Sequence, residues 1–192
     1  QIRMRMQELA PYAATHKDYL IGQLLENGGA TGYNSYDAVT FFNDAHVKGD
    51  NSNDNNLGCA ATTGTTPTVA EFKSAFIAAC AAMMGFKDEN SRPMVLGLSG
   101  LVVVTPPSEM YFTAVEALGA AMISSTSNTV AAALQGSLPR VISLPWLSST
   151  DKMYLLKCDM GIRPLIFQDR EPLEFNGCGP GSEGESHRYK NY

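Results

Sequence analysis

Between Ala30 and Pro67 the chain loses the apolar periodicity that precedes and follows it. Gly, Asn, Asp, Ser and Thr dominate, and the one apolar island, Val39 to Phe42, is long enough for a single short strand. A structureless connection of this length is uncommon inside a compact domain. The sequence therefore predicts an extended excursion at 30–67, a loose hairpin reaching away from the core. Within it, the stretch FFNDAHVKGDNSNDNNLG (Phe41 to Gly58) combines two aromatics, a histidine and a run of Asp, Asn and Ser.

The flanks are regular. Over residues 4–26, Met6, Leu9, Tyr12 and Ala13, then Tyr19, Leu20, Leu24 and Leu25, recur at spacings of three and four, which predicts helix. Pro11 predicts a break within it, because proline removes an amide donor and its ring meets the preceding turn. Asn27-Gly28-Gly29 supplies the stop. After the polar stretch, Thr68-Val69-Ala70-Glu71 reads as a capping box opening a helix. Val69, Phe72, Phe76, Ile77, Cys80, Met83 and Met84 form its broad apolar stripe, and Gly85 ends it. Lys87 to Arg92 is a polar turn leading to Pro93. Leu101 to Val104 is a continuous apolar run of the kind that forms a strand covered on both faces. Pro106-Pro107 closes it, and Ser108 is placed to cap a third helix from Glu109 to Met122. Ser124 to Thr129 is a polar link. Arg140–Leu147, Met153–Lys157 and Arg163–Gln168 read as three strands, the last two joined by a turn at Cys158 to Ile162. After Pro172 the chain is glycine-rich and polar. There is no internal repeat. The fold class is α+β, divided as 1–29 (helical), 30–67 (polar loop), 68–100 (long helix and turn), 101–175 (α/β unit) and 176–192 (glycine-rich tail).

Composition narrows the function classes. Apolar residues make up 44% and charged residues 17% of 192, enough apolar surface for a core. The net charge of −5 lacks the basic excess that general nucleic-acid binding needs. No stretch approaches the ~20 apolar residues that span a bilayer, and no signal core follows Arg3 and Arg5, so a cytosolic origin is expected. Cys59, Cys80, Cys158 and Cys178 form no C-x-x-C pair, and with no sign of secretion they are expected to be reduced.

Motifs that could carry chemistry fail on spacing. Asp50, Ser52, Asp54 and Asn56 alternate like early calcium-loop ligands, but Asn55 stands where that loop needs glycine and Ala61 where it needs a bidentate glutamate. Asp44 and His46 are neighbours, but His16 and His187 are remote, so no transition-metal set is indicated. Gly97-Leu98-Ser99-Gly100 brings its second glycine one residue early for a nucleophile elbow, and its strand follows the serine. Gly177 to Ser182 has no lysine of a phosphate-binding loop. Glu71, Glu116 and Glu171 read as caps or surface charges. No catalytic residue, metal or cofactor is expected.

Four segments, in order, resemble the major head subunit family of Mu-like phages and prophages. Tyr36-Asp37-Ala38-Val39-Thr40-Phe41-Phe42-Asn43-Asp44-Ala45-His46, with Asn56-Leu57 beyond, is similar to that family's Y-D-G, F-F, H, N-L segment. Lys87 to Met94 and then Leu101 to Pro107 resemble its D-x-x-G-x-P-L and L-V-V-P-P segments. Val141-Ile142-Ser143-Leu144-Pro145-Trp146-Leu147 and Arg163 to Glu171 resemble its strand segments ending in P-W-L and Q-x-R-E. The resemblance spans residues 17 to 175. It departs at Ala38 and Ser91, where the family has glycine, and at Thr105, an extra residue before the prolines. Against the family, the chain resembles a truncated fragment, without an N-terminal arm and closing strands.

The resemblance implies the capsid fold known from the Hong Kong phage. Residues 30–67 would be the extended loop over a neighbouring subunit, 68–84 the spine helix of the peripheral domain, and Leu101 to Glu171 the mixed sheet of the axial domain. It implies a structural subunit, not an enzyme, assembling with its own copies into capsomers and an icosahedral shell. Portal and scaffold-type head proteins would be further partners, packaged DNA a non-specific one, and a membrane none. The location would be the virion capsid, with the host cytoplasm during assembly. Phe41 and Phe42 are the expected aromatic anchors of the arm, with an intrachain core role an equal alternative. His46 and Lys48 join them as interface candidates, and Phe41 to Gly58 is expected to order only against a neighbour. Trp146 is expected in the core. An encapsulin-like compartment shell and a head-associated hydrolase, with Ser99 meeting His46 or His187, are the alternatives.

Overall fold

The computed structural model describes residues 2–119, 122–123, 126–127, 130, 134, 137–161 and 164–166, and they form an α+β arrangement. In chain order the elements are α1 (Ile2–Asn27), β1 (His46–Lys48), β2 (Asn51–Asn53), α2 (Val69–Met84), β3 (Leu101–Thr105), α3 (Glu109–Gly119), β4 (Met122–Ile123), β5 (Thr126–Ser127), β6 (Arg140–Ser143) and β7 (Tyr154–Lys157).

β3 is the organising strand. It pairs in parallel with β6 (Val103 opposite Val141) and antiparallel with β7 (Val103 opposite Leu155), giving the order β6-β3-β7. Side chains of a strand alternate between faces, and both faces here are covered. Leu101 and Val103 join Phe72, Phe76 and Cys80 of α2 and Met110, Ala114, Ala117 and Leu118 of α3 in the larger core. Val104 joins Leu25 of α1, Leu147 and Tyr154 in a second core, with Phe42 and Val102 packed against it. This two-sided burial is why the sequence of β3 is an unbroken apolar run.

α2 begins as its capping box predicts. The Thr68 hydroxyl accepts from the Glu71 amide (3.3 Å), and the Glu71 carboxylate accepts from the Thr68 amide (2.8 Å). The buried stripe is narrower than the sequence suggests: Phe72, Phe76 and Cys80 are buried, whereas Ile77 and Met84 are exposed. Burial pushes the Cys80 thiol up to about 11.

Several expectations are corrected. α1 runs unbroken through Pro11. Good helix formers (Ala10, Ala13 and Ala14) flank the proline, and the Thr15 hydroxyl returns to the Pro11 and Tyr12 carbonyls (3.0 and 3.3 Å). Its C-terminal turns pack against the 146–149 segment. Gly22 lies so close to the Trp146 side chain that an added Cβ would fall 2.5 Å from the Trp146 Cβ. Glu26 accepts from the amides of Ser148 and Ser149 and from the Ser149 hydroxyl. Burial opposes ionisation of Glu26, but these donors outweigh it and hold the carboxyl below its usual range.

α3 stops at Gly119 rather than Met122, and Met122–Ile123 pairs instead with Thr126–Ser127. Ser108 does not cap it: its hydroxyl is buried without a partner, and its amide donates to Pro106 (2.9 Å), setting the turn that enters the helix. β6 ends at Ser143, because Leu144 to Leu147 close a turn (Leu147 amide to Leu144 carbonyl, 3.1 Å). In that turn Leu147 takes the core position and Trp146 is left 40% exposed, so the tryptophan is not core. Residues 164–166 form no strand; the rest of the Arg163–Gln168 expectation, Cys178, His187 and the glycine-rich tail lie outside the described residues.

Candidate functional site

The polar segment 30–67 is not an arm held away from the body. β1 and β2 form a hairpin across the two-residue turn Gly49-Asp50, with φ +61° at Gly49, the positive-φ start that suits a tight hairpin. Alternation along β2 and just beyond it aims Asn51, Asn53 and Asn55 at main-chain groups elsewhere. The Asn51 side-chain amide donates to the Asp88 carbonyl (2.8 Å). Asn53 makes a two-way pair with Lys87, accepting from its amide (2.9 Å) and donating to its carbonyl (3.1 Å). Asn55 donates to the Phe41 carbonyl (2.9 Å) and accepts from the Asn43 amide (2.8 Å), while its own amide donates to the Asn43 carbonyl (3.1 Å). These side chains act as surrogate strand backbone, joining the hairpin to the 87–93 turn and to the 41–43 crossing.

His46 stands at the middle of this network, 7% exposed. Nδ1 lies 2.8 Å from Asp37 Oδ2, and Nε2 lies 3.1 Å from the Phe41 carbonyl oxygen. Burial raises the Asp37 carboxyl, but the hydrogen bond and charge of His46, with the amides of Asp37 and Val39, outweigh it and hold the group below its usual range.

The four interface candidates separate on this geometry. Phe42 is half-buried, its ring 5.5 Å from Tyr154 and 5.0 Å edge-on to Phe41, and its amide donates to the Gly28 carbonyl (3.0 Å). Phe41 is half-buried, and its carbonyl serves both His46 and Asn55. The Lys48 ammonium sits 5.1 Å above the Tyr36 ring. The large apolar groups this segment leaves in solvent are others: Tyr33, Tyr36 (71% exposed), Val47 and Leu57. The sequence carried a signal for Val47, since alternation in a strand turns it outward when His46 turns in.

At the far end of the segment, Glu71 ties the chain to α2. Beyond its Thr68 bonds, its carboxylate accepts from the Thr62 amide and hydroxyl (2.8 Å each). The Thr62 and Thr68 amides, then their hydroxyls, bring its pKa down to about 2.

A second polar cluster joins the start of β3 to the end of β7. Ser99 donates to Asp159 (2.5 Å), and the Lys157 ammonium donates to Asp159 and to the Ser99 carbonyl (2.6 Å each). Lys157, then Ser99, holds the Asp159 carboxyl below its usual range. A carboxylate so stabilised is a weak base, and the lysine is spent on charge pairing. The arrangement therefore staples two strands and does not activate the serine. Ser99 has no hydrogen bond to His46, which is committed to Asp37 and Phe41. His16 lies on α1 beside Tyr19.

Among the described residues, no three His, Cys, Asp or Glu side chains converge as metal ligands, and no helix is long and apolar enough to cross a membrane. Cys59, Cys80 and Cys158 are free. A recess of about 250 Å³ lies between α3 and β6, and the described residues that line it (Val115, Leu118, Gly119, Leu138, Pro139 and Val141) bring no polar side chain to it. No protein-family model, curated protein or solved structure matches the chain.

Proposed function

We propose that this chain is a structural shell subunit of the Mu-like phage major head type, with the Hong Kong phage capsid fold, and that it acts by assembling with its own copies and not by catalysis. The observation that carries this reading is conformational. The quoted family segments have glycine at two positions where this chain has Ala38 and Ser91. Those two residues have φ +65° and +59°, and among the described residues they are the only non-glycine residues with positive φ. Glycine is the residue that takes this conformation without steric cost, so the backbone keeps the geometry that the family motif's glycines would serve. The order of a polar hairpin segment, one long capped helix and a mixed sheet is in keeping with a loop, a spine helix and an axial lobe. In this reading the arm 30–67 meets a neighbouring subunit, portal and scaffold-type proteins are further partners, and packaged DNA is contacted only non-specifically. The location is the virion capsid, after assembly in the host cytoplasm.

Electron microscopy of the purified intact gene product tests the proposal. Shells, capsomers or sheets of repeating subunits are expected. A dispersed monomer at high concentration, turning over a substrate or holding a ligand, would overturn it.

A further inference from the structure

We propose that His46 is a proton-operated latch that holds segment 36–55 against itself when the imidazole is doubly protonated and loosens it when the ring becomes neutral. The inference is independent of the shell reading, since it concerns only the segment's hold on its own chain.

A neutral imidazole has one N–H and one lone pair; the imidazolium has two N–H groups. Both ring nitrogens of His46 face acceptors: the Asp37 carboxylate at 2.8 Å and the Phe41 carbonyl at 3.1 Å. Neither has a proton to give back, because the Asp37 carboxyl is held below its usual range and a main-chain carbonyl has none. Turning the ring over would present carbon atoms to both oxygens. Only the imidazolium satisfies both partners, and the site is too enclosed for water to replace a lost bond readily.

Loss of that proton removes a bond at the busiest point of the segment. The Phe41 carbonyl also accepts from Asn55, which holds Asn43, and the Phe41 amide donates to the Tyr33 carbonyl (2.7 Å). Among the charged groups of the described residues, only Asp37 bonds the ring. Lys48 of β1 lies over Tyr36, Asp44 and Asp50 are exposed, Asp54 accepts from the Asn56 amide, and Asp88 of the 87–93 turn accepts from the amides of Asn90 and Arg92. The pH series runs from about 5 to 8, the interval in which histidine side chains in general change charge.

The test is amide hydrogen exchange of the full chain, corrected for the intrinsic pH dependence, with α2 as internal reference. Protection across 36–55 should fall about tenfold from pH 5 to 8, the order of one charge-assisted hydrogen bond, while α2 stays constant. In His46→Gln, which has the same donors at every pH, the segment should be less protected at pH 5 and show no such slope. A flat wild-type profile, or an unchanged slope in His46→Gln, would overturn the latch. Should that variant fail to fold, nitrogen NMR of the wild-type ring decides: two protonated nitrogens at pH 5 and one at pH 8 are expected, and one at both would refute it.

Discussion

Replacing Ala38 by glycine should stabilise this protein, the reverse of the ordinary effect. Ala38 sits in a turn closed by its amide to the Ser35 carbonyl (3.1 Å) and by the Ser35 amide to the Val39 carbonyl (2.7 Å), and its φ of +65° puts the methyl against the backbone. An L-residue in this region costs roughly 1–2 kcal/mol. Glycine removes that strain but enlarges the freedom of the unfolded chain, at about 0.4–1 kcal/mol. Ala38 is exposed, so no packing is lost with its methyl. The difference is a gain of roughly 0.5–1 kcal/mol, or a rise of about 1–4 °C in Tm for a chain of this size. Ser91→Gly relieves the same kind of strain but forfeits the hydroxyl contact with Asn51 (3.2 Å), worth about 0.5–1.5 kcal/mol, so its net effect should be close to zero. Ala78→Gly, on the exposed side of α2, is the control and should cost about 1 kcal/mol. Differential scanning calorimetry of the three variants reads all these signs. If Ala38→Gly lowered Tm as Ala78→Gly does, the backbone at 38 would not be left-handed, and the main support for the family reading would go with it.

Gly22→Ala should destabilise by about 1 kcal/mol in urea unfolding despite alanine's better helix propensity, because displacing Trp146 costs more than the helix gains; the single tryptophan's fluorescence should shift in the folded state. Glu71 has a depressed folded pKa, so its stabilising bonds are complete above its ordinary value near 4.5 and fade as pH falls toward about 2; amides 62 and 68 should lose exchange protection across that window, and Glu71→Gln should abolish the pH dependence. Phe42→Ala should cost about 2–3 kcal/mol of monomer stability, less than a full core truncation because the ring is half-buried, whereas Val47→Asp should leave the melting temperature within about 2 °C and reduce any assembly seen by light scattering.

What could be read from the sequence was what is decided within a few residues. The capping box at Thr68 and Glu71 and the apolar run of β3 depend on near neighbours or on burial alone, and both stand where the sequence puts them. The fate of the asparagine run was not legible in the same way. Its alternation was visible, but the calcium comparison attends to Asp50, Ser52, Asp54 and Asn56, whereas the structure uses the opposite parity: Asn51, Asn53 and Asn55. Two of those partners lie at residues 87 and 88, and nothing in a linear pattern marks which distant main chain a side-chain amide will meet. Trp146 was misplaced for a related reason. Its apolar neighbours suggest a strand continuing to Leu147, but Pro145 has no amide to donate to a ladder, and the turn at 144–147 hands the core position to Leu147.

The same parity reassigns the work of the arm. A side chain cannot both complete its own subunit's core and remain free to anchor a neighbour, and Phe42 and His46 are already committed: one to the Tyr154 cluster, the other to Asp37 and Phe41. Outward on the same segment stand Tyr36, Val47 and Leu57, with Lys48 drawn over the Tyr36 ring. A segment stitched down by amide side chains, Asn53 and Asn55 each bonding main-chain groups in both directions, presents that outer face with little further ordering to lose on contact, and such preorganisation is what lets modest contacts hold. If this chain meets its own copies through residues 30–67, the inner aromatics set the shape of the arm and the outer ones make the contact.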